Sequence, residues 1–353
     1  MNESPGSTVT SRLDSLISAF PKAELHLHLE GSVSAERFRK LSRKYETEFN
    51  GLSLSEIRSQ FFSYSDFWSF LKAYRVICEH LREPRDYVAL VRDLGPYFES
   101  QNIRYAEILI APSIPARFGF DVGSIIKATT AAAKKLADEL SIDIRWIFDC
   151  VRQFGPEAAQ ETAELALEFR EEGVVGLGLA GDETAADSRE FEDVFAFARA
   201  HELYVHVHAG EIGEPQSVWD AIKMLGANRI GHGIQAARDQ VLMSYLKDHA
   251  IGLDICLTSN ARTGAWTPIS KNPFWLLYKR GVPVTLSTDD PGLFDTTLLE
   301  EYAQAIKYFE LAESDLAYIA LQSVRSSFLP HGERMKLMQE FQNSIHELTA
   351  RGM

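Results

Sequence analysis

Cysteine is scarce in this sequence: 353 residues carry only Cys78, Cys150 and Cys256. An odd number with no short spacing supplies neither a disulfide framework nor a Cys-x-x-Cys metal site, so a reducing cytoplasm is the expected compartment. Long hydrophobic runs are missing as well. No stretch approaches the roughly 20 apolar residues of a membrane span, and the first twenty residues lack the apolar core of a secretory signal. Positive charge is in deficit, with 36 Lys and Arg against 50 Asp and Glu and a formal net charge of −14. Phosphate binding needs a basic patch, so nucleic acid is not an expected partner. Low-complexity segments and internal repeats are also absent, beyond an alternation of two local patterns.

That alternation carries the fold. Residues 1–10, rich in Ser, Gly and Pro, are expected to form a flexible tail, and Ser11–Phe20 a short amphipathic helix. Eight β-like runs follow: Ala23–Leu29, Arg104–Ala111, Ile142–Val151, Val174–Ala180, Leu203–Ala209, Arg229–Ile234, Ile251–Leu257 and Val282–Ser287. Segments with helical spacing lie between them, such as Ser124–Leu140, Ala158–Glu171 and Gln240–Lys247. Eight strands with helical crossovers predict an α/β fold, a parallel (β/α)₈ TIM barrel filling residues 11–353 as a single domain. An open doubly wound sheet is the runner-up. The barrel is preferred because candidate site residues end many different strands. Residues 34–102 form a helical insertion after the first strand, rich in aromatics (Phe61, Phe62, Tyr64, Phe67, Trp68, Phe70, Tyr74). It would supply a lid or pocket wall, or only its own core. A helical C-terminal segment runs from Leu298, interrupted at Pro330-His331-Gly332.

Four short segments end such runs and carry the chemistry: His26-Leu27-His28, His208-Ala209-Gly210-Glu211, Gly231-His232-Gly233 and Thr288-Asp289-Asp290-Pro291. His26 and His28 lie two apart on a strand and point to one face. A strand-borne His-x-His is common in cores, and Asp-Asp-Pro is also good turn chemistry. Together, three imidazoles and the Asp289 carboxylate suit one borderline divalent ion such as Zn²⁺. His206 shares the His208 face one pleat deeper and is read as an interior residue. The fourth strand offers no Lys, Glu or Asp to bridge a second ion. Glu211, His232 and Asp290 remain to move protons and hold a substrate.

In these segments and their order the sequence resembles the adenosine deaminase family of the amidohydrolase superfamily. The resemblance extends from Pro21-Lys22-Ala23-Glu24-Leu25-His26-Leu27-His28-Leu29-Glu30-Gly31-Ser32 to Ser326-Ser327-Phe328-Leu329, through Leu179–Glu183, Arg229–Gly233 and Thr258-Ser259-Asn260 with Thr263-Gly264-Ala265. It implies a zinc barrel that hydrolytically replaces the 6-amino group of a purine with oxygen and releases ammonia. By matching positions, His26, His28, His208 and Asp289 would hold the zinc. Glu211 would protonate N1 of the purine, His232 would steer the attacking hydroxide, and Asp290 would bind at N7. The backbone N–H of Gly181 would meet N3.

One departure bears on the substrate. Adenosine-acting members carry Asp where this chain has Glu30. The Glu form is more usual in branches acting on free adenine or on 6-amino-6-deoxyfutalosine, a menaquinone precursor. Arg262 would then meet a substrate carboxylate such as the benzoate of aminodeoxyfutalosine. The expected activity is deamination of a 6-aminopurine nucleoside, adenosine or aminodeoxyfutalosine, by a cytoplasmic monomer or homo-oligomer. Adenine deamination is one alternative, and a catalytically inactive nucleoside-binding barrel is another. The zinc deaminases that use His-x-Glu followed by Pro-Cys-x-x-Cys are excluded, because three scattered cysteines cannot supply the second motif.

Overall fold

The computed structural model describes residues 5–350, with side chains from Arg12 onward. Strands β1 (Lys22–His28), β2 (Ile103–Ile110), β3 (Asp143–Val151), β4 (Val174–Ala180), β5 (Tyr204–Ala209), β6 (Arg229–His232), β7 (Gly252–Ile255) and β8 (Val284–Leu286) form one parallel sheet in sequence order. The ring is nearly closed by a bridge between Leu27 and Asp289. There the His28 N–H donates to the Asp289 carbonyl at 2.8 Å, and the Asp289 N–H to the His26 carbonyl at 2.9 Å. The seam of the (β/α)₈ barrel thus runs through three expected ligands. All eight strands read from the sequence are present.

Register in β1 is irregular in a way that matters. Glu24 pairs with Ala106 while Leu27 pairs with Ile108, three residues against two, which is a β-bulge. Before it, Lys22 donates to the Gln101 carbonyl and Glu24 accepts from Tyr97, both facing the helix Pro84–Ser100 and the loop that ends it. After it, His26 and His28 turn toward the lumen, where the His26 ring lies 4.6 Å from that of His208. Strict alternation would have left His26 on the Glu24 side.

The opposite end of the barrel is plugged by charge and a ring. Arg229, fully buried, donates to Glu107 at 2.5 Å, to Asp254 at 2.6 Å and to the carbonyls of Leu25 and Ser326. Its guanidinium lies 4.1 Å from the Phe328 ring, which stacks on Tyr204.

The insertion folds into helices Ala35–Lys44, Leu54–Phe61, Phe67–Cys78 and Pro84–Ser100. Asp66 starts the third by accepting the Ser69 N–H at 2.7 Å, and Phe67, Phe70, Ala73 and Ile77 give it a buried stripe. Two expectations need correction. Residues 1–4 of the expected tail lie outside the described residues, and the first helix, Pro5–Ala19, begins ahead of Ser11. The C-terminal segment is broken twice, around Glu310, which takes a left-handed φ of 53°, and at Ser327–Pro330. His331 and Gly332 open the last helix, His331–Ala350, because Pro330 precedes it without having to donate within it. Among the described residues no helix is long and apolar enough to cross a membrane.

Candidate metal centre and active-site cavity

His26, His28, His208 and Asp289 meet at the C-terminal mouth of the barrel, each offering one donor atom within 4.8 Å of the others, all buried. His28 Nε2 stands 3.3 Å from His26 Nε2 and 3.2 Å from His208 Nε2. Asp289 Oδ1 lies 3.2 Å from His26 Nε2 and 3.3 Å from His28 Nε2. Donors held 2.0–2.1 Å from a tetrahedral centre are about 3.3 Å apart, so these edges fit one small divalent ion. Three imidazoles turn Nε2 toward one point, where each can offer a lone pair to a metal. Burial would lower the His28 pKa, yet Asp289, Asp290 and Asp149 outweigh it and push it up to about 10. The cluster therefore calls for positive charge at that nitrogen, which a metal supplies.

Local sequence explains the convergence. Gly231 is required beneath the rings, since a Cβ there would stand 2.9 Å from His26 Cε1 and 3.3 Å from His206 and His208 atoms. His232 and Asp289 both adopt left-handed φ, 62° and 67°, conformations that aim side chains at a site at some cost in backbone energy. His206 bonds Asp254 at 3.1 Å below the cluster, an interior residue as expected.

Glu211 lies on the loop after β5, its backbone N–H held by Glu183 Oε1 at 3.0 Å. Burial, with the carboxylates of Asp289, Glu183 and Asp290 around it, pushes its pKa well above the ordinary value. That direction favours its protonated form. Burial and the neighbouring Asp289 raise Asp290 in the same direction. His232, held neutral by burial at a pKa of about 3, has its tautomer set by a chain of bonds. The Phe274 N–H, which can only donate, gives to Asn272 Oδ1 at 3.0 Å. Asn272 Nδ2 then donates to Asn260 Oδ1 at 3.3 Å, and Asn260 Nδ2 to His232 Nδ1 at 3.1 Å. The imidazole proton is thereby placed on Nε2, 3.8 Å from both Glu211 Oε2 and Asp289 Oδ2.

A cavity of about 590 Å³ opens above the cluster, and His28, His208, Glu211, His232, Asp289, Asp290 and Gly181 reach it. Gly181 takes φ 97°, with Gln153 Oε1 where a Cβ would project. The insertion's aromatics divide: Phe67, Trp68, Phe70 and Tyr74 line the cavity, whereas Phe61 packs with Phe38 and Phe49 in the insertion's own core. Trp68, 57% exposed, donates from Nε1 to Asp182 at 3.2 Å across the opening.

Two expected substrate contacts are placed elsewhere. Glu30 is fully buried, accepts the Ala111 N–H at 3.2 Å and is not part of the cavity wall. Arg262 donates to the Phe62 carbonyl at 2.6 Å and is likewise outside the wall. Other residues went unassigned. Asp149 on β3 lines the cavity with Oδ2 3.4 Å from His28 Nδ1, and Ser259 Oγ donates to Asp289 Oδ2 at 2.6 Å. The Ser259-Asn260 pair stood inside a conspicuous motif, whereas a lone Asp in an apolar strand gave no signal.

A three-histidine, one-aspartate centre at the mouth of a (β/α)₈ barrel, beside a buried carboxyl of raised pKa, defines a metal-binding hydrolase of the amidohydrolase type. Residues 21–344 match the family model described as adenosine deaminase, and the chain belongs to that family. It is 36% identical to the aminodeoxyfutalosine deaminase of Streptomyces avermitilis over 330 residues, 93% of this chain and 92% of that one. Identity to an adenine deaminase of Chelativorans sp. is 32% over 316 residues, 90% of this chain and 96% of that one. The solved adenine deaminase of Arthrobacter aurescens superimposes with a TM-score of 0.87 at 25% identity, covering 93% of this chain and 100% of the other. The protein is a hydrolytic deaminase.

Proposed function

We propose that the protein is a zinc enzyme that hydrolyses the 6-amino group from a 6-aminopurine nucleoside, and that its substrate is 6-amino-6-deoxyfutalosine. The observation that carries the reading is the meeting of four metal donors, a buried Glu211 whose pKa is raised, and an imidazole accepting from Asn260 at Nδ1, all at the floor of one large, aromatic-walled cavity. Its volume of about 590 Å³ suits a ligand well beyond a bare purine. The likeness to an aminodeoxyfutalosine deaminase over nearly the whole chain supports the same choice. Such an activity would place the protein in menaquinone synthesis.

A zinc ion bound by His26, His28, His208 and Asp289 would supply Lewis-acid activation of the attacking water. Glu211 then gives its proton to N1 of the purine, so that C6 becomes electrophilic as charge develops on the ring. His232 orients the attacking oxygen through its Nε2–H. Asp290, kept protonated by burial and Asp289, donates to N7. The Gly181 N–H faces N3, and the insertion's aromatic wall excludes water around the base. Adenine is the second reading, favoured by the Chelativorans and Arthrobacter relatives.

The test is ammonia release by zinc-loaded protein from aminodeoxyfutalosine, adenosine and adenine side by side, with and without a chelator. The reading expects the highest kcat/KM on aminodeoxyfutalosine, abolished by chelation and restored by zinc. A preference for adenine or adenosine overturns the substrate. Full activity in the metal-free protein overturns the chemistry.

A further inference from the structure

The floor of the cavity is acidic, with Asp149, Glu211, Asp289 and Asp290, while its cationic wall residues, Lys72, Arg75 and Arg117, are exposed side chains. In a chain of net charge −14, three cations lining one opening are a local reversal of sign. They differ in what already holds them. Arg75 donates at 3.1 Å to Glu79, just past the end of its own helix. Arg117 and Lys72 have no carboxylate partner among the described residues. Arg117, the last residue of the short helix Ser113–Arg117 after β2, instead lays its guanidinium 5.0 Å from the ring centre of Phe154, which follows β3. Stacking of this kind fixes the guanidinium plane and leaves its N–H edge free for a carboxylate, which it would take in bidentate fashion. Ile114, Phe118 and Tyr74 supply apolar wall on the same cavity.

We infer that Arg117, assisted by Lys72, is a carboxylate subsite that reads an aromatic acid carried by the nucleoside beyond its purine. The inference rests on the proposed nucleoside substrate and assigns the role that the sequence suggested for Arg262. That residue is unsuitable because its guanidinium is engaged by the Phe62 carbonyl outside the cavity. The cations also set polarity: the anionic end is drawn to Arg117 and Lys72 on the wall, which leaves the purine for the floor, where the metal donors and Glu211 lie. Because Arg117 is exposed, water and salt screen part of the attraction, and its share is about two- to fivefold in kcat/KM.

The experiment compares aminodeoxyfutalosine with its benzoate methyl ester, and adenosine beside them, on zinc-loaded wild type, Arg117→Gln, Arg117→Lys and Arg117→Gln/Lys72→Gln. Zinc content is measured for each. The wild type should favour the acid over the ester, chiefly in KM and less so in high salt. The acid-to-ester ratio should fall about two- to fivefold in Arg117→Gln, further in the double variant, and recover in part in Arg117→Lys. A wild-type ratio near one, or an unchanged ratio in Arg117→Gln, overturns the subsite. If acid and ester are both still preferred to adenosine, the nucleoside reading stands without it. If adenosine is preferred to both, the substrate reading itself has failed and the subsite falls with it.

Discussion

Ser259 Oγ donates to Asp289 Oδ2 at 2.6 Å, which leaves Oδ1 as the oxygen that faces His26 and His28. A carboxylate on a left-handed residue has no intrinsic reason to present one oxygen rather than the other. The serine makes the choice. Removing such an outer partner typically costs 10–100-fold in metal affinity. Ser259→Ala should therefore weaken zinc binding by about that factor while the fold persists, and Asp289→Ala should lose more. Titration against a graded chelator measures it. Equal midpoints for wild type and Ser259→Ala would show that the serine positions nothing.

The neighbouring Asn260 makes a parallel choice for His232. Its amide donates to Nδ1 and so keeps the proton on Nε2. Asn260→Asp puts an acceptor against Nδ1 and draws the proton there. His232 would then present a lone pair where it should donate, and turnover should fall about 10²- to 10⁴-fold, as for other misplaced acid–base groups. Nitrogen NMR of the His232 ring should show the tautomer change. Activity and ring shifts both equal to wild type would remove the relay.

Glu211 is held by Glu183 at its backbone, and burial with the acidic groups around it favours its protonated form. Glu211→Gln preserves its shape and abolishes the transferable proton. Zinc content should stay at the wild-type level while kcat falls about 10²- to 10⁴-fold. Retention of full activity would transfer the proton-donor role elsewhere.

The barrel and the four segments that meet at its mouth were legible because strand alternation and strand-end turns are local properties. The β1 bulge was not. Period-two reading puts Glu24, His26 and His28 on one face, and only pairing with β2 shows the extra residue that separates them. Asp149 was illegible for a similar reason, since its meaning comes from His28, on another strand. The bond from Arg262 to the Phe62 carbonyl was illegible too, because its partner lies 200 residues away in the insertion. Long-range partners decide polar side chains, and local patterns do not carry them.

Support for the short helix Leu257–Arg262, which carries Ser259 and Asn260, comes from Glu301, on the helix Leu298–Phe309, which accepts the Thr258 N–H at 3.2 Å and the Thr296 hydroxyl at 2.9 Å. Burial raises its carboxyl from 4.5 to about 7, against those bonds. The folded protein thus holds a proton that the unfolded chain releases between these values. This group's contribution is present in full below pH 4.5 and lost as pH rises to about 7. The loss amounts to about 3 kcal/mol. Glu301→Gln does not titrate and can keep both bonds. Its stability relative to wild type should therefore climb by about 3 kcal/mol across that window and be level on either side. Urea unfolding at a series of pH values measures the difference, and a flat difference would mean that Glu301 ionises normally.

At the other end of the barrel, Arg229 neutralises two carboxylates that have no access to water, Glu107 and Asp254. Burial pushes both carboxyls upward. At Asp254 the guanidinium and the His206 bond outweigh it and hold the group well below its ordinary value, while at Glu107 burial wins. Arg229→Met keeps much of the volume but strands both acids, and it should cost about 3–5 kcal/mol in urea unfolding. The penalty is stranded charge rather than a cavity. Adding Glu107→Gln and Asp254→Asn to Arg229→Met should therefore recover part of the loss, although each change alone in the wild type destabilises. A triple variant no more stable than Arg229→Met would place the cost instead in the lost bonds to the Leu25 and Ser326 carbonyls and in the lost contact with Phe328.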